Sequence, residues 1–272
     1  MSYYTVLGLE KEPFSTSPDP DFLYRSVNHD TALKRLEIAI RLRRGLSIIL
    51  GDIGTGKTTL SRALLKIFED DTNFIFHIIL DPGYKSEFQF LLNLAKIFGI
   101  EPKHRTTVDL KQCLQEYLFQ KGIEEDKTIV LIIDEGQKLT PDNLEVLRML
   151  LNYETNDYKL LQLVILAQLE LIPRLTQMPN FIDRVAFKYT INGLDENETK
   201  QLIEYRLKQA GYNHQNPLFQ DDAVKLIYQY TQGCPRRITM LCHNALEEII
   251  MQEHESIGSL TIENIAKGKL KL

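Results

Sequence analysis

The apolar run Leu46-Ser47-Ile48-Ile49-Leu50 leads directly into Gly51-Asp52-Ile53-Gly54-Thr55-Gly56-Lys57-Thr58. This is the G-x-x-x-x-G-K-[ST] pattern, in which a strand, a glycine-rich turn and a helix N-terminus aim backbone N–H groups at one point. A polyphosphate's charge is best accommodated at such a point. From average composition, the four constrained positions arise by chance in about one chain in a hundred of this length. A merely flexible glycine loop with a solvated lysine is therefore the weaker reading. It weakens further because Leu60, Leu64, Leu65 and Phe68 recur at helical spacing after Thr58. The candidate nucleotide contacts are Gly51, Asp52, Ile53, Gly54, Thr55, Gly56, Lys57, Thr58 and Thr59, with Lys57 on the phosphates and the Thr58 hydroxyl on a magnesium ion.

Some seventy residues on, Thr128-Ile129-Val130-Leu131-Ile132-Ile133 ends in Asp134-Glu135. A continuous β-branched run of this kind predicts a strand buried on both faces, as in a parallel sheet covered by helices. Acids at its carboxyl end suit two tasks. Asp134 holds the hydrated Mg²⁺, and Glu135 orients and deprotonates an attacking water. The competing reading has both acids capping the next helix, but Thr140-Pro141-Asp142 already supplies that helix with its own start.

The rest of the chain is consistent with a globular enzyme. Hydrophobic residues make up 43% and charged residues 25% of its 272 residues, which argues against disorder and allows a main domain plus a smaller one. No apolar run is long enough to span a bilayer and no signal peptide opens the chain, so the expectation is a cytoplasmic protein, reaching the inner membrane only through a partner. Cys113, Cys234 and Cys242 lack metal-ligand spacing and are expected to be reduced packing thiols. A net charge of −5 argues against a generic polyanion binder, while leaving room for a local basic patch.

Strands are expected over 46–50, 73–80, 128–134, 160–167 and 187–191, with helices over 31–44, 87–98, 108–121, 141–152 and 169–175. This alternation predicts an α/β fold with a parallel, doubly covered sheet, preceded by an ordered arm running to Asn28. From Leu194 the pattern is helix only, opened by the capping box Asp195-x-x-Glu198 and continuing over 221–232, 235–253 and 261–267. The expected domains are 1–193, an αβα nucleotide-binding domain with its arm, and 194–272, a small all-α lid.

At this level of detail the chain resembles the AAA+ ATPases of the ExeA group, the general secretion pathway protein A and MshM-type pilus ATPases, over nearly its whole length. The resemblance is carried by Pro13-Phe14, Pro18-Asp19-Pro20, Phe22-Leu23-Tyr24 and His29-x-x-Ala32-Leu33, by the phosphate loop, and by Asp134-Glu135-Gly136-Gln137. It continues through Leu147 to Glu154-Thr155 and Leu160-Leu161-Gln162, then Gln168-Leu169-Glu170-Leu171, Glu198-Thr199, Arg206-Leu207-x-x-Ala210-Gly211 and Gly233-Cys234-Pro235-Arg236-Arg237-Ile238.

The resemblance implies further roles. Gln168 senses the γ-phosphate or the attacking water, with a surface amide as the plainer reading. Arg236 of the Gly-x-x-Arg signature reaches the phosphates from the lid. Arg184 completes a neighbouring subunit's site, with Arg174 as its competitor and a surface ion pair as the plain reading of both. The adenine pocket uses the arm around Leu23 and Tyr24, where aromatic residues equally suit a core. Gly136 and Leu169 stand where alanine and proline are usual, changes expected to leave the chemistry intact. Secretion members commonly carry a transmembrane segment and a periplasmic peptidoglycan-binding region beyond the ATPase, and neither is expected within these 272 residues.

The implied function is ATP hydrolysis with Mg²⁺, cycling through ADP, in an ATP-dependent homo-oligomer that assembles or regulates type II secretion or type IV-like pilus machinery. One alternative is an ATPase that assembles on duplex DNA and recruits a transposase. Lys34, Arg41 and Arg44 share a face of the 31–44 helix, near Arg35 and Arg43, and a solvated basic face is the plainer reading. Leu33, Leu36 and Ile40 form the face expected to pack inward. The other alternative is a nucleotide-gated interaction switch.

Overall fold

The computed structural model describes residues 3–15, 22, 24–101, 106–214, 216–252 and 256–269. The chain divides into two compact units. One comprises His29–Ile53 and Leu60–Ile191, the other Met1–Asn28, Gly54–Thr59 and Asn192–Leu272.

In chain order the elements are α1 (Val27–Arg41), β1 (Leu46–Gly51), α2 (Lys57–Ile67), β2 (Phe74–Ile79), α3 (Glu87–Ile97), α4 (Thr107–Phe119), β3 (Thr128–Ile133), α5 (Pro141–Leu150), β4 (Leu161–Ala167), α6 (Ile172–Thr176), α7 (Pro179–Ile182) and β5 (Val185–Ile191). Then follow α8 (Glu196–Gln209), α9 (Asp221–Thr231), α10 (Pro235–Met251) and α11 (Ser259–Lys269). The five strands form one parallel sheet in the order β2-β3-β4-β1-β5. Its three central strands β3, β4 and β1 are buried along their whole length, as the unbroken apolar runs require, whereas the edge strands β2 and β5 are largely half-exposed. Phe90, Leu91 and Leu94 of α3, Leu114 and Leu118 of α4, and Leu144 and Leu147 of α5 pack into the same core. Each such side chain contributes about 1.5–3 kcal/mol by leaving water.

Several boundaries move for local reasons. The first helix runs over Val27–Arg41 rather than 31–44, because Arg43 (φ 48°) and Gly45 (φ 91°) turn the chain into β1. Leu33, Leu36 and Ile40 are buried on its inner face as expected. After α4 the chain continues as a π-helical turn, Gln120–Glu124. The expected helix over 169–175 is a 3-10 turn, Leu169–Leu171, running on into α6. At α5 the start signal works as read: Thr140 accepts from the Asn143 N–H at 3.2 Å, and the Asn143 side chain accepts from the Thr140 N–H at 3.1 Å.

In the helical unit, Asp195 and Glu198 cap α8 reciprocally, at 2.7 and 3.2 Å. Leu202, Ile227, Ile238, Cys242, Leu246 and Ile257 build its core. Burial pushes the Cys242 thiol far above its usual range, so it stays protonated and packs as a small apolar group. None of the three cysteines forms a disulfide. The arm, which the sequence reading joins to the α/β part, groups with these helices instead. Phe14 packs edge-on to Phe219 with ring centroids 5.8 Å apart, the Glu10 N–H donates to the Ala210 carbonyl at 2.8 Å, and Arg206 donates to the carbonyls of Pro13 and Ser15. Pro18, Asp19, Pro20 and Leu23 lie outside the described residues.

Candidate active site

Strand register brings the candidate residues of the sheet unit to one edge. Leu50 pairs with Ala167 and Ile133 with Ile165, so β1, β4 and β3 all end on the same carboxyl side. Asp134 follows β3 at 4% exposure. Its N–H donates to the Ile79 carbonyl, and its Oδ1 accepts from the Glu135 N–H at 2.9 Å. Glu135 adopts the left-handed conformation, φ 52° and ψ 36°. For a non-glycine residue this costs on the order of 1 kcal/mol and persists only where the surroundings enforce it. The next residue supplies part of that enforcement. A Cβ on Gly136 would lie 2.5 Å from Ile165 Cγ2 and 3.2 Å from Ala167 Cβ, so only glycine lets the turn lie against β4. The glycine expected to be a neutral departure therefore has a steric role.

Gln137, to which the sequence assigned no role, ties the edge together. Its Nε2 donates to Glu135 Oε2 at 2.5 Å, and its Oε1 accepts from the backbone N–H of Gln168 at 3.1 Å. Its carbonyl accepts from Arg174 Nη1 at 2.8 Å, and the same guanidinium nitrogen donates to the Leu139 carbonyl. Arg174 is thus engaged inside its own subunit. Arg184 lies apart from this cluster, where Nε and Nη2 both donate to Asn152 Oδ1, at 3.1 and 2.6 Å, and Nη1 donates to the Asn180 carbonyl.

In the other unit, Gly54 (φ 82°) and Gly56 (φ 94°) flank the buried Thr55. The Gly54 carbonyl accepts from the Arg236 N–H at 3.2 Å, and a Cβ on Gly54 would stand 2.7 Å from Arg236 Cβ and 3.1 Å from Cys234 Sγ. Lys57 opens α2 at 8% exposure, followed by Thr58 and Thr59 in the first turn. Arg236 and Arg237 are both exposed in the first turn of α10. Tyr24 donates to Gln201 Oε1 at 2.5 Å and its ring lies 6.1 Å from that of Tyr205. Burial first, then the charges of Glu198 and Asp195, raise its phenol above the ordinary range. Its partner in the expected adenine pocket, Leu23, lies outside the described residues.

Taken unit by unit, these groups have the chemistry of nucleotide ligands. Positive-φ glycines, helix N–H groups and a nearly buried lysine match a polyphosphate. The Asp134 carboxylate and Thr58 hydroxyl are hard oxygen donors. Among the described residues no three His, Cys, Asp or Glu side chains gather into a metal cage. Magnesium with a nucleotide needs no such cage, since phosphates and water complete its shell.

The basic face of α1 is largely neutralised. Lys34 pairs with Asp30 at 2.5 Å, and Arg41 pairs with Glu37 at 2.9 Å and Asp71 at 3.6 Å. The Arg41 guanidinium also lies 4.6 Å from the Phe68 ring centroid, and that of Arg35 lies 5.9 Å from Phe187. Arg43 covers Tyr158 and bonds to Asp126 and Thr128. Arg44 is exposed.

Residues 40–175 match the sequence model of the AAA domain. The chain belongs to the AAA domain family. It is accordingly a nucleotide-binding P-loop ATPase. General secretion pathway protein A of Aeromonas hydrophila is 32% identical to it over 247 residues, which are 90% of this chain and 44% of that protein, so the chain spans less than half of that relative's length. Among solved structures, Cdc6p from Pyrobaculum aerophilum matches with a TM-score of 0.69 at 19% identity, covering 90% of this chain and 67% of the other. The Aeropyrum pernix ORC1 protein in complex with DNA matches at 0.67 and 16%, covering 96% and 69%. The Thermotoga maritima RuvB Holliday junction branch migration motor matches at 0.60 and 15%, covering 90% and 72%. At these identities the likeness is one of fold. Among the described residues, no helix is long and apolar enough to cross a membrane.

Proposed function

We propose that this ATPase works as an Mg²⁺-dependent homo-oligomer that assembles or regulates a cell-envelope machine of the type II secretion or type IV-like pilus kind. The observation that carries the hydrolytic part is the junction of Asp134, Glu135 and Gln168 at one sheet edge, bonded through Gln137. Lys57 and the N–H groups of residues 51–59 hold the phosphates. Thr58 and Asp134 hold the magnesium ion, which when bound neutralises charge on the β- and γ-phosphates. Glu135 accepts the proton of a water attacking the γ-phosphorus as the bond to the β-phosphate oxygen breaks and ADP leaves. Gln168 monitors the γ-phosphate. Arg236 approaches the phosphates from the helical lid, residues 194–272, and Tyr24 with Leu23 serves the adenine. Arg184 acts on a neighbouring subunit's nucleotide. Its guanidinium is oriented by an exposed Asn152, whereas Arg174 is committed to two carbonyls of its own chain.

The envelope partner and a cytoplasmic location, peripheral at the inner membrane through that partner, rest on the likeness to general secretion pathway protein A. The second reading, assembly on duplex DNA, is favoured by the fold shared with the DNA-bound ORC1 protein. The neutralised α1 face weighs against it. Phosphate release from ATP by the purified protein, with magnesium and then with EDTA, tests the proposed chemistry. Metal-dependent turnover that rises with protein concentration supports an oligomeric hydrolase. Tight ATP binding with no turnover at any concentration supports a nucleotide-gated switch instead.

A further inference from the structure

The Glu135 carboxylate sits on a left-handed residue, and one of its two oxygens, Oε2, accepts the Gln137 amide at 2.5 Å. A carboxylate held through one oxygen keeps the other available to accept from a water. The same amide group accepts the Gln168 N–H at 3.1 Å, and Arg174 anchors the Gln137 backbone carbonyl at 2.8 Å. Both ends of the Gln137 side chain and its main chain are therefore fixed. Nothing in the packing demands glutamine here, since the residue is only half-buried and a side chain of similar length and no polarity fills the same space.

We propose that Gln137 is a positioning residue for hydrolysis: its carboxamide fixes the Glu135 carboxylate and ties it to the backbone of Gln168. The inference rests on Glu135 as the base and extends that reading. It makes one side chain the link between the end of β4, where Gln168 stands, and the group that takes the proton. A rotation about the Gln137 side chain breaks both hydrogen bonds together, so displacement of Gln168 is felt at Glu135. Without the link, the carboxylate samples other rotamers and the attacking water loses its orientation, a misplacement that lowers turnover without weakening nucleotide binding.

The test uses the full chain. Gln137→Met keeps the length and removes both hydrogen bonds. The expected result is a fall in kcat of about ten- to a hundredfold, with KM for ATP and affinity for a fluorescent ATP analogue unchanged and the thermal midpoint lowered by no more than a few degrees. In a Glu135→Gln background, adding Gln137→Met is expected to cost nothing further, because the group it positions is already gone. Wild-type or faster turnover by Gln137→Met, or an equal further loss in the Glu135→Gln background, overturns the proposal. Gln137→Glu keeps the acceptor for Gln168 and replaces the donor with a carboxylate. It is also expected to turn over slowly, and wild-type turnover by it is likewise contrary, which covers the case of a poorly folded methionine variant. Wild-type turnover by Glu135→Gln alone removes the base assignment itself, a failure distinct from that of Gln137.

Discussion

Two polar regions of the sheet-bearing unit use their hydrogen bonds in opposite ways. On the face of α1, Lys34 and Arg41 turn to acids on their own unit, and Arg41 also lies over Phe68, so the positive charge is neutralised locally. At the carboxyl edge of β3 and β4, the bonds run toward a strained residue: Gln137, Gln168 and Arg174 hold a turn in which Glu135 is left-handed and its carboxylate accepts from a neutral amide. Ion pairs like those on α1 contribute little, about 0–1 kcal/mol each. A backbone strain of similar size at Glu135 persists only because its neighbours over-determine it. Charge counted along the sequence does not separate the two regions. The partner of each charge does.

Substitutions in these regions and in the phosphate loop should differ widely in effect. Lys57→Ala removes a nearly buried cation from the phosphate loop, and its ATP affinity is expected to fall at least about a hundredfold, read by equilibrium binding of a fluorescent analogue. Arg184→Ala should bind ATP normally and hydrolyse it about a hundredfold or more slowly, as for other arginines acting across a subunit boundary. Asn152→Ala should show a smaller loss. Mixing Arg184→Ala with Lys57→Ala protein should restore part of the turnover. Recovery at no mixing ratio, with oligomers confirmed by mass, removes the action in trans, and recovery of an Arg174 variant instead moves the role there. Gly136→Ala must push Ile165 or the turn aside, and a loss of about 1–3 kcal/mol in unfolding free energy is expected by denaturant titration. A wild-type unfolding curve would mean the turn relaxes freely. The smallest effect belongs to α1. Lys34→Ala, Arg41→Ala and Arg44→Ala combined should leave duplex-DNA anisotropy unchanged in every nucleotide state. Tight ATP-dependent binding with a steep salt slope, abolished by the triple variant, would promote the DNA reading.

How far the sequence reaches follows from what each feature depends on. β1 and β3 were legible because burial on both faces forces continuous apolar runs, and α5 and α8 because caps are made by residues three apart. The docking of Phe14 on Phe219 was not, since it joins residues some two hundred positions apart with no local signal. The end of α1 was misplaced because Arg43 takes a conformation usual for glycine. At the edge of β3, residue types and spacing pointed to Asp134 and Glu135. Gln137 stayed hidden because its reach to Glu135, two positions away, exists only once the left-handed turn has formed.

The role of Glu135 as general base is decided by two measurements on Glu135→Gln, equilibrium affinity for ATP and steady-state phosphate release with magnesium. The substitution keeps the shape of the side chain and removes its ability to take a proton. With Glu135 as the base, wild-type affinity is expected with turnover lower by about a hundredfold or more. Turnover at the wild-type rate would contradict that role and would leave the strained turn after β3 without a catalytic purpose.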